Sequence, residues 1–287
     1  MAFRSVRFDS APKASWNAFP GDRPSPWRLI AAGAAIIVML LGMAAWYASG
    51  AQQGDATERD PATLCLLRGP TSRAELTLLD QTDALAAGAG QHFTRLINHV
   101  RDTLPRNGRL TIVPFGGDLG QPLAVAFDIC SPGKGAEADT LNEGAVRLQR
   151  DYETRFVAPL GKAAAELAVP RESNQSPIAD QILRAANDPT IGWRGEERIL
   201  NLMTDGLENT PASPIYTSGK IVLPPPPSDL LRGVTVNYFE LASARNSALQ
   251  TPAVRAAWKA WFEAAGAKVN MYAPGYAVPA WGVPAER

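Results

Sequence analysis

The chain has 287 residues, with 28 Lys and Arg balanced by 28 Asp and Glu. That balance gives no basic footprint for nucleic acid and no bias toward an acidic substrate, so no nucleic-acid partner is expected. Two histidines and two cysteines are a thin supply for a zinc or redox enzyme.

Residues 1–28 mix Pro, Ser, Gly and scattered charge and read as a cytoplasmic tail. Leu29 to Trp46 contains no charged residue. A run of this kind approaches the ~20 residues that cross a bilayer as a helix, so residues 29–49 are expected to span the lipid bilayer. Trp27 and Trp46–Tyr47 bracket the run, as amphipathic rings do at the two interfaces. Arg4, Arg7, Lys13, Arg23 and Arg28 precede it, whereas Asp55, Glu58 and Asp60 follow it. Basic residues concentrate on the cytoplasmic side, which predicts a single-pass inner-membrane protein with its C-terminal part periplasmic or otherwise extracytoplasmic. A cleaved signal peptide is the rival, with Ala48 and Gly50 small enough for processing. The long charged region before the run argues for an anchor.

Residues 50–62 read as a linker, 63–275 as the folded domain and 276–287 as a Pro-rich tail. Ala74–Asp80 is an apolar run of the kind a buried parallel strand makes. Thr82–Leu104 has helical spacing, with Leu85, Phe93, Leu96, Ile97 and Val100 near one face; Pro105 and Gly108 end it. Leu110–Pro114 and Leu123–Ile129 read as strands. Residues 141–168 form a helix whose apolar face is Val146, Leu148, Tyr152, Phe156 and Leu160. Pro177–Ala186 is a helix for which Ser176 is a natural N-cap. Glu197–Asp205 is another strand, and 206–227 is irregular. Pro224–Pro227 stiffens that connection or offers a polyproline ligand. Val234–Leu241, Pro252–Ala265 and Ala267–Tyr272 complete the pattern as strand, helix and strand. In the helix Pro252–Ala265, Trp258, Trp261 and Phe262 mark the buried face. Strands alternating with helices predict an α/β fold, a doubly wound and mostly parallel sheet with helices on both faces. Cys65 and Cys130, in a domain placed outside the cytoplasm, are expected to form a disulfide.

In such sheets, function gathers where the strands end. Two predicted strands end in aspartate, at Asp80 in LTLLDQTDAL and at Asp205 in LNLMTDGLENT. Gln81, Thr82 and Asp83 follow the first; Glu208, Asn209 and Thr210 follow the second. Clustered carboxylate and hydroxyl oxygens suit a hard cation such as Mg²⁺. His92 and His99, seven apart on one helix, do not have zinc spacing. The loop SPGKG lacks the phosphate-loop pattern, and there is no GxSxG elbow.

Here the chain resembles the von Willebrand factor A (vWA) family in a membrane-anchored form. Asp80 and Thr82 match the first two positions of its Asp-x-Ser-x-Ser motif. Ser176 matches the threonine of its second loop, and Asp205 in MTDG matches its final aspartate. Ala84 stands where the second serine would be and offers no oxygen. The resemblance covers about residues 70–272. It implies a metal site of Asp80, Thr82, Ser176 and Asp205, with Asp83 as a substitute donor and Mg²⁺ or another divalent cation as cofactor. It also implies a protein partner in a membrane-associated complex and a binding role without catalysis. Metal-assisted hydrolysis of a phosphoester is the alternative use of the same edge, although no acid–base histidine lies beside either motif. A structural subunit with a degenerate metal site is the third possibility.

Overall fold

The structure is a computed structural model that describes residues 26–56, 58–82, 89–139, 144–167 and 173–272. It divides into two units, Met1–Gly54 and Asp55–Arg287. Helix α1 (Pro26–Ala56) belongs to the first except for its last two residues. Ile30, Ile36, Val38, Leu40 and Leu41 are all exposed along it. Among the described residues, no helix is long and apolar enough to cross a membrane.

The second unit is built on a six-stranded sheet. Its strands are β1 (Arg73–Asp80), β2 (Arg109–Phe115), β3 (Phe127–Cys130), β4 (Glu197–Thr204), β7 (Val234–Glu240) and β8 (Lys268–Tyr272). The two-residue strands β5 (Asn209–Thr210) and β6 (Ser213–Pro214) form a separate small hairpin, followed at once by the one-turn helix α6 (Ile215–Ser218). Across the large sheet the order is β3-β2-β1-β4-β7-β8, with only β3 antiparallel to its neighbour. This is the doubly wound arrangement expected of the sequence. Strand order reverses at β1, so the chain leaves β1 and β4 in opposite directions and opens a crevice at their C-terminal ends.

Side chains alternate across the pleat, and both faces are covered. On one face Leu76, Leu78, Leu200, Leu202, Val236 and Tyr238 pack under α5 (Ile178–Asn187) and α7 (Pro252–Ala264). Trp258, Trp261 and Phe262 form the buried stripe of α7. The Trp261 indole donates to the Pro224 carbonyl at 2.7 Å, which fastens the proline run onto that helix. On the other face Leu79, Leu110, Ile112, Met203 and Phe239 pack with α2 (Ala89–Thr103) and α4 (Ala158–Leu167).

Several boundaries differ from the sequence reading. The third strand is confined to Phe127–Cys130, because the stretch before it is an exposed loop. The expected helix over 141–168 is α3 (Ala145–Tyr152), a π-helical turn over Glu153–Val157, and then α4. A π turn inserts an extra residue and rotates the apolar face. Tyr152, Phe156 and Leu160 remain buried, but Val146 is 86% exposed. The first turns of the helix predicted from Thr82 fall in 83–88, outside the described residues, and α2 is seen from Ala89.

The Cys65–Cys130 disulfide is present, with Cα atoms 4.8 Å apart. It ties the segment ahead of β1 to the end of β3, where the Cys130 amide also donates to the Thr63 carbonyl at 2.7 Å.

A polar row crosses the α2 face of the sheet. Asn270 donates to Asn237 at 2.8 Å, Asn237 to Asn201 at 3.0 Å, and Asn201 to the Glu75 carboxylate at 3.3 Å. Burial pushes Glu75 up to about 7, against the opposing pull of Arg73. In an unfolded chain a glutamate titrates near 4.3. Stability held by the neutral side chain is therefore complete below the unfolded value and lost as pH rises through about 7. Glu75→Gln should match the wild type in urea unfolding at pH 4.5. At pH 8 it should be more stable by about 3–4 kcal/mol, the gap between about 7 and about 4.3 at 1.36 kcal/mol per pH unit. A difference independent of pH would contradict this account.

Candidate functional site

β1 and β4 are neighbours in register, with Leu79 opposite Met203, so Asp80 and Thr204 emerge side by side at the crevice. Asp80 is 4% exposed. Its Oδ1 accepts the Thr82 amide at 2.9 Å and the Thr82 hydroxyl at 2.6 Å. Its Oδ2 accepts the Thr204 hydroxyl at 2.7 Å and, more weakly, the Ser176 hydroxyl at 3.4 Å. The hydroxyl oxygens of Thr82 and Ser176 are 3.0 Å apart. The partners of this buried carboxylate are thus hydroxyls and an amide, none of them a cation. Burial pushes Asp80 above the usual carboxylate range, while the hydrogen bonds from Thr82, Thr204 and Ser176 pull it down.

Three loops meet to hold this arrangement. The Ser173 amide donates to the Thr82 carbonyl at 2.8 Å. Ser176 and Asn209 exchange both backbone hydrogen bonds, each 2.9 Å, in an isolated antiparallel bridge. The Asn209 side chain donates to the Asn174 carbonyl at 2.8 Å. Ser176 therefore does not cap α5 as the sequence suggested. The cap position is Pro177, which makes no side-chain hydrogen bond. Glu208 serves that helix end instead, accepting the Ala179 amide at 2.9 Å. Burial raises Glu208 to about 7, with that amide opposing the shift.

Asp205 follows Thr204 directly and is 3% exposed. Its Oδ1 accepts the Leu207 amide at 2.9 Å. Gly206 between them has φ +75°, a left-handed conformation that glycine adopts without strain. A Cβ there would lie 2.0 Å from the Tyr238 hydroxyl. The Gly206 amide donates to the Thr204 hydroxyl at 3.0 Å, and its carbonyl accepts the Trp258 indole at 2.8 Å. The glycine thus lets the chain turn tightly against the α7 core while Thr204 faces Asp80.

Of the residues the resemblance selected, the structure joins Asp80, Thr82 and Ser176 in one hydrogen-bonded group, with Asp205 at the adjoining strand end. Asp83 and Ala84 lie outside the described residues. Sequence reasoning missed Thr204, the most direct partner of Asp80 on β4. Its signal was a hydroxyl immediately before the Asp-Gly turn. No group of three or more His, Cys, Asp or Glu side chains able to hold a metal occurs among the described residues. The donors here are two carboxylates and three hydroxyls. Oxygen donors of this type are the kind a hard cation takes. The spacings around Asp80 run from 2.6 to 3.4 Å.

No family model matches the chain, and no curated protein does. Several solved structures align with it. Proximal thread matrix protein 1 of the mussel byssus is 16% identical, with a TM-score of 0.32, over 59% of this chain and 38% of that one. This chain therefore spans well under half of the mussel protein. An aerotolerance-related membrane protein from Bacteroides fragilis NCTC 9343 is 14% identical, with a TM-score of 0.31, over 68% of this chain and 98% of that one. The manganese-loaded TRAP protein of Plasmodium vivax is 13% identical, with a TM-score of 0.29, over 58% of this chain and 57% of that one.

Thr204→Val keeps the side-chain volume but leaves Asp80 Oδ2 and the Gly206 amide each short of a buried partner. It should lower unfolding stability by about 1–3 kcal/mol at an unchanged urea slope. A loss under about 0.5 kcal/mol would mean that Thr204 does not support the carboxylate.

Proposed function

We propose that this chain is a membrane-tethered, vWA-like protein-binding module whose Asp80 edge engages a partner in an envelope complex with the help of a divalent cation. One observation carries the reading. A buried carboxylate at the switch point of the sheet is surrounded by hydroxyls and, among the described residues, hydrogen-bonds to no cationic side chain. Burying an unpaired charge costs several kcal/mol, and a bound cation would offset that cost. Asp80, Thr82, Ser176 and Asp205 would hold the ion, with Thr204 orienting Asp80 and Asp83 as a supporting donor. The ion would supply an electrophilic point for a partner's carboxylate, and this chain's hydroxyls would keep the local negative charge low.

The tether rests on the uncharged run Leu29–Trp46 and the basic residues before it. An extracytoplasmic location is supported by the disulfide, which persists in oxidising compartments.

Two measurements test the proposal. Mg²⁺ at 100 times its dissociation constant should stabilise the wild type by about 2.7 kcal/mol and leave Asp80→Ala unmoved. No Mg²⁺-dependent shift in the wild type sinks the cation. Separately, a partner that co-purifies with the wild type from native membranes should be lost from Asp80→Ala/Asp205→Ala. A partner that stays bound to the double variant places recognition elsewhere on the domain.

A further inference from the structure

Beside the Asp80 site, at the same edge of the sheet, β2 ends in a cavity of about 390 Å³. That volume lies in the range of small-ligand pockets, roughly 300–1,000 Å³. Pro114, Phe115 and Leu123 form apolar walls, and Gln181 and Arg184 of α5 supply the polar side. The Gln81 backbone amide, next to Asp80, donates to the Phe115 carbonyl of the cavity wall at 3.0 Å, and within the cavity the Gln181 side-chain amide donates to the Gly116 carbonyl at 3.2 Å.

Arg184 is half-buried; it donates to the Gln121 carbonyl and the Gln181 side-chain oxygen, and its charge also acts on Asp188 one turn further on, at the end of α5. A guanidinium has five donors, so capacity remains for a bidentate carboxylate. Asp118 also lines the cavity, but it is exposed and its Oδ1 accepts the Gly120 amide at 2.7 Å. Leu119 and Val125, 39% and 40% exposed, extend an apolar surface along the loop between β2 and β3. Each directly follows a cavity-lining residue in the chain, Asp118 and Ala124, so the two flank the cavity.

We infer that this cavity is a recognition subsite for an extended internal segment of a protein partner, taking an aliphatic side chain against Pro114, Phe115 and Leu123 while a neighbouring Asp or Glu pairs with Arg184. The continuing apolar surface at Leu119 and Val125 favours a segment that runs on across the loop over a chain end. The inference rests on the protein-binding reading of this edge and is independent of any cation.

The test is saturation-transfer NMR on the full chain in zwitterionic detergent with EDTA, using the peptide acetyl-Ala-Glu-Leu-Ala-amide. Saturation should be strongest on the leucine methyls. Changing the peptide's Leu to Ala or its Glu to Gln should weaken binding at least about fivefold, since a charged hydrogen bond is lost in the second case. A Cβ at Gly116 meets no atom within 4 Å, so Gly116→Leu adds bulk to the cavity wall at a position with open space beside it. It should abolish the signal, and Arg184→Gln on the half-buried helix face should weaken it about as much as the Gln peptide does. Replacing the EDTA with Mg²⁺ should leave the signal unchanged, which separates this subsite from the cation reading. Equal saturation from all three peptides, or a signal unchanged in both Gly116→Leu and Arg184→Gln, would overturn the inference.

Discussion

The Asp80 carboxylate, buried at the C-terminal end of the central strand, is the constraint on which the site depends. A charge in that position must be neutralised or surrounded by hydrogen bonds. Three separate segments supply those bonds, through Thr82, Ser176 and Thr204. Their backbones are laced together by the Ser173–Thr82 contact and the Ser176–Asn209 bridge. The chain thus spends three loops on one carboxylate, which is far more support than a helix-capping aspartate needs.

The scaffold around that point is rigid for ordinary reasons. Parallel strands buried on both faces hold Asp80 and Thr204 in register. The tight turn at Gly206 is pinned to Trp258, in the aromatic stripe of α7. On the opposite face an amide row from Asn270 to Glu75 replaces part of the apolar packing. Such a row is stable only while every member keeps its partner, so it fixes the relative positions of four strands. The disulfide adds a covalent tie between the segment preceding β1 and the antiparallel edge strand.

Much of the fold was legible in the sequence. The apolar runs ending at Asp80 and Asp205 became β1 and β4, and the Trp-rich helix buried the residues that spacing assigned to it. The Cys65–Cys130 pairing followed from compartment chemistry. What failed did so because tertiary contacts overrode local preference. Ser176 has the chemistry of a cap, yet its hydroxyl serves Asp80 while Glu208, thirty-two positions on, binds the helix amides. Val146 fits a helical stripe until the π turn at Glu153–Val157 rotates it into solvent. Thr204 closes an apolar strand, and only its place just before the Asp205–Gly206 turn marked it out; that its hydroxyl reaches Asp80 depends on the pairing of β1 with β4. The Arg184 cavity was equally invisible, since it joins α5 to the end of a strand some sixty residues earlier.

The central claim is that the Asp80 group holds a divalent cation, and an anomalous difference map from crystals grown with manganese tests it most directly. The account predicts a single strong peak within bonding distance of Asp80, Thr82 and Ser176, with Asp205 in the coordination sphere directly or through water. A map without a peak there, in which Asp80 keeps its hydrogen bonds to Thr82 and Thr204, would contradict it and leave a neutral buried carboxyl as the purpose of the three loops.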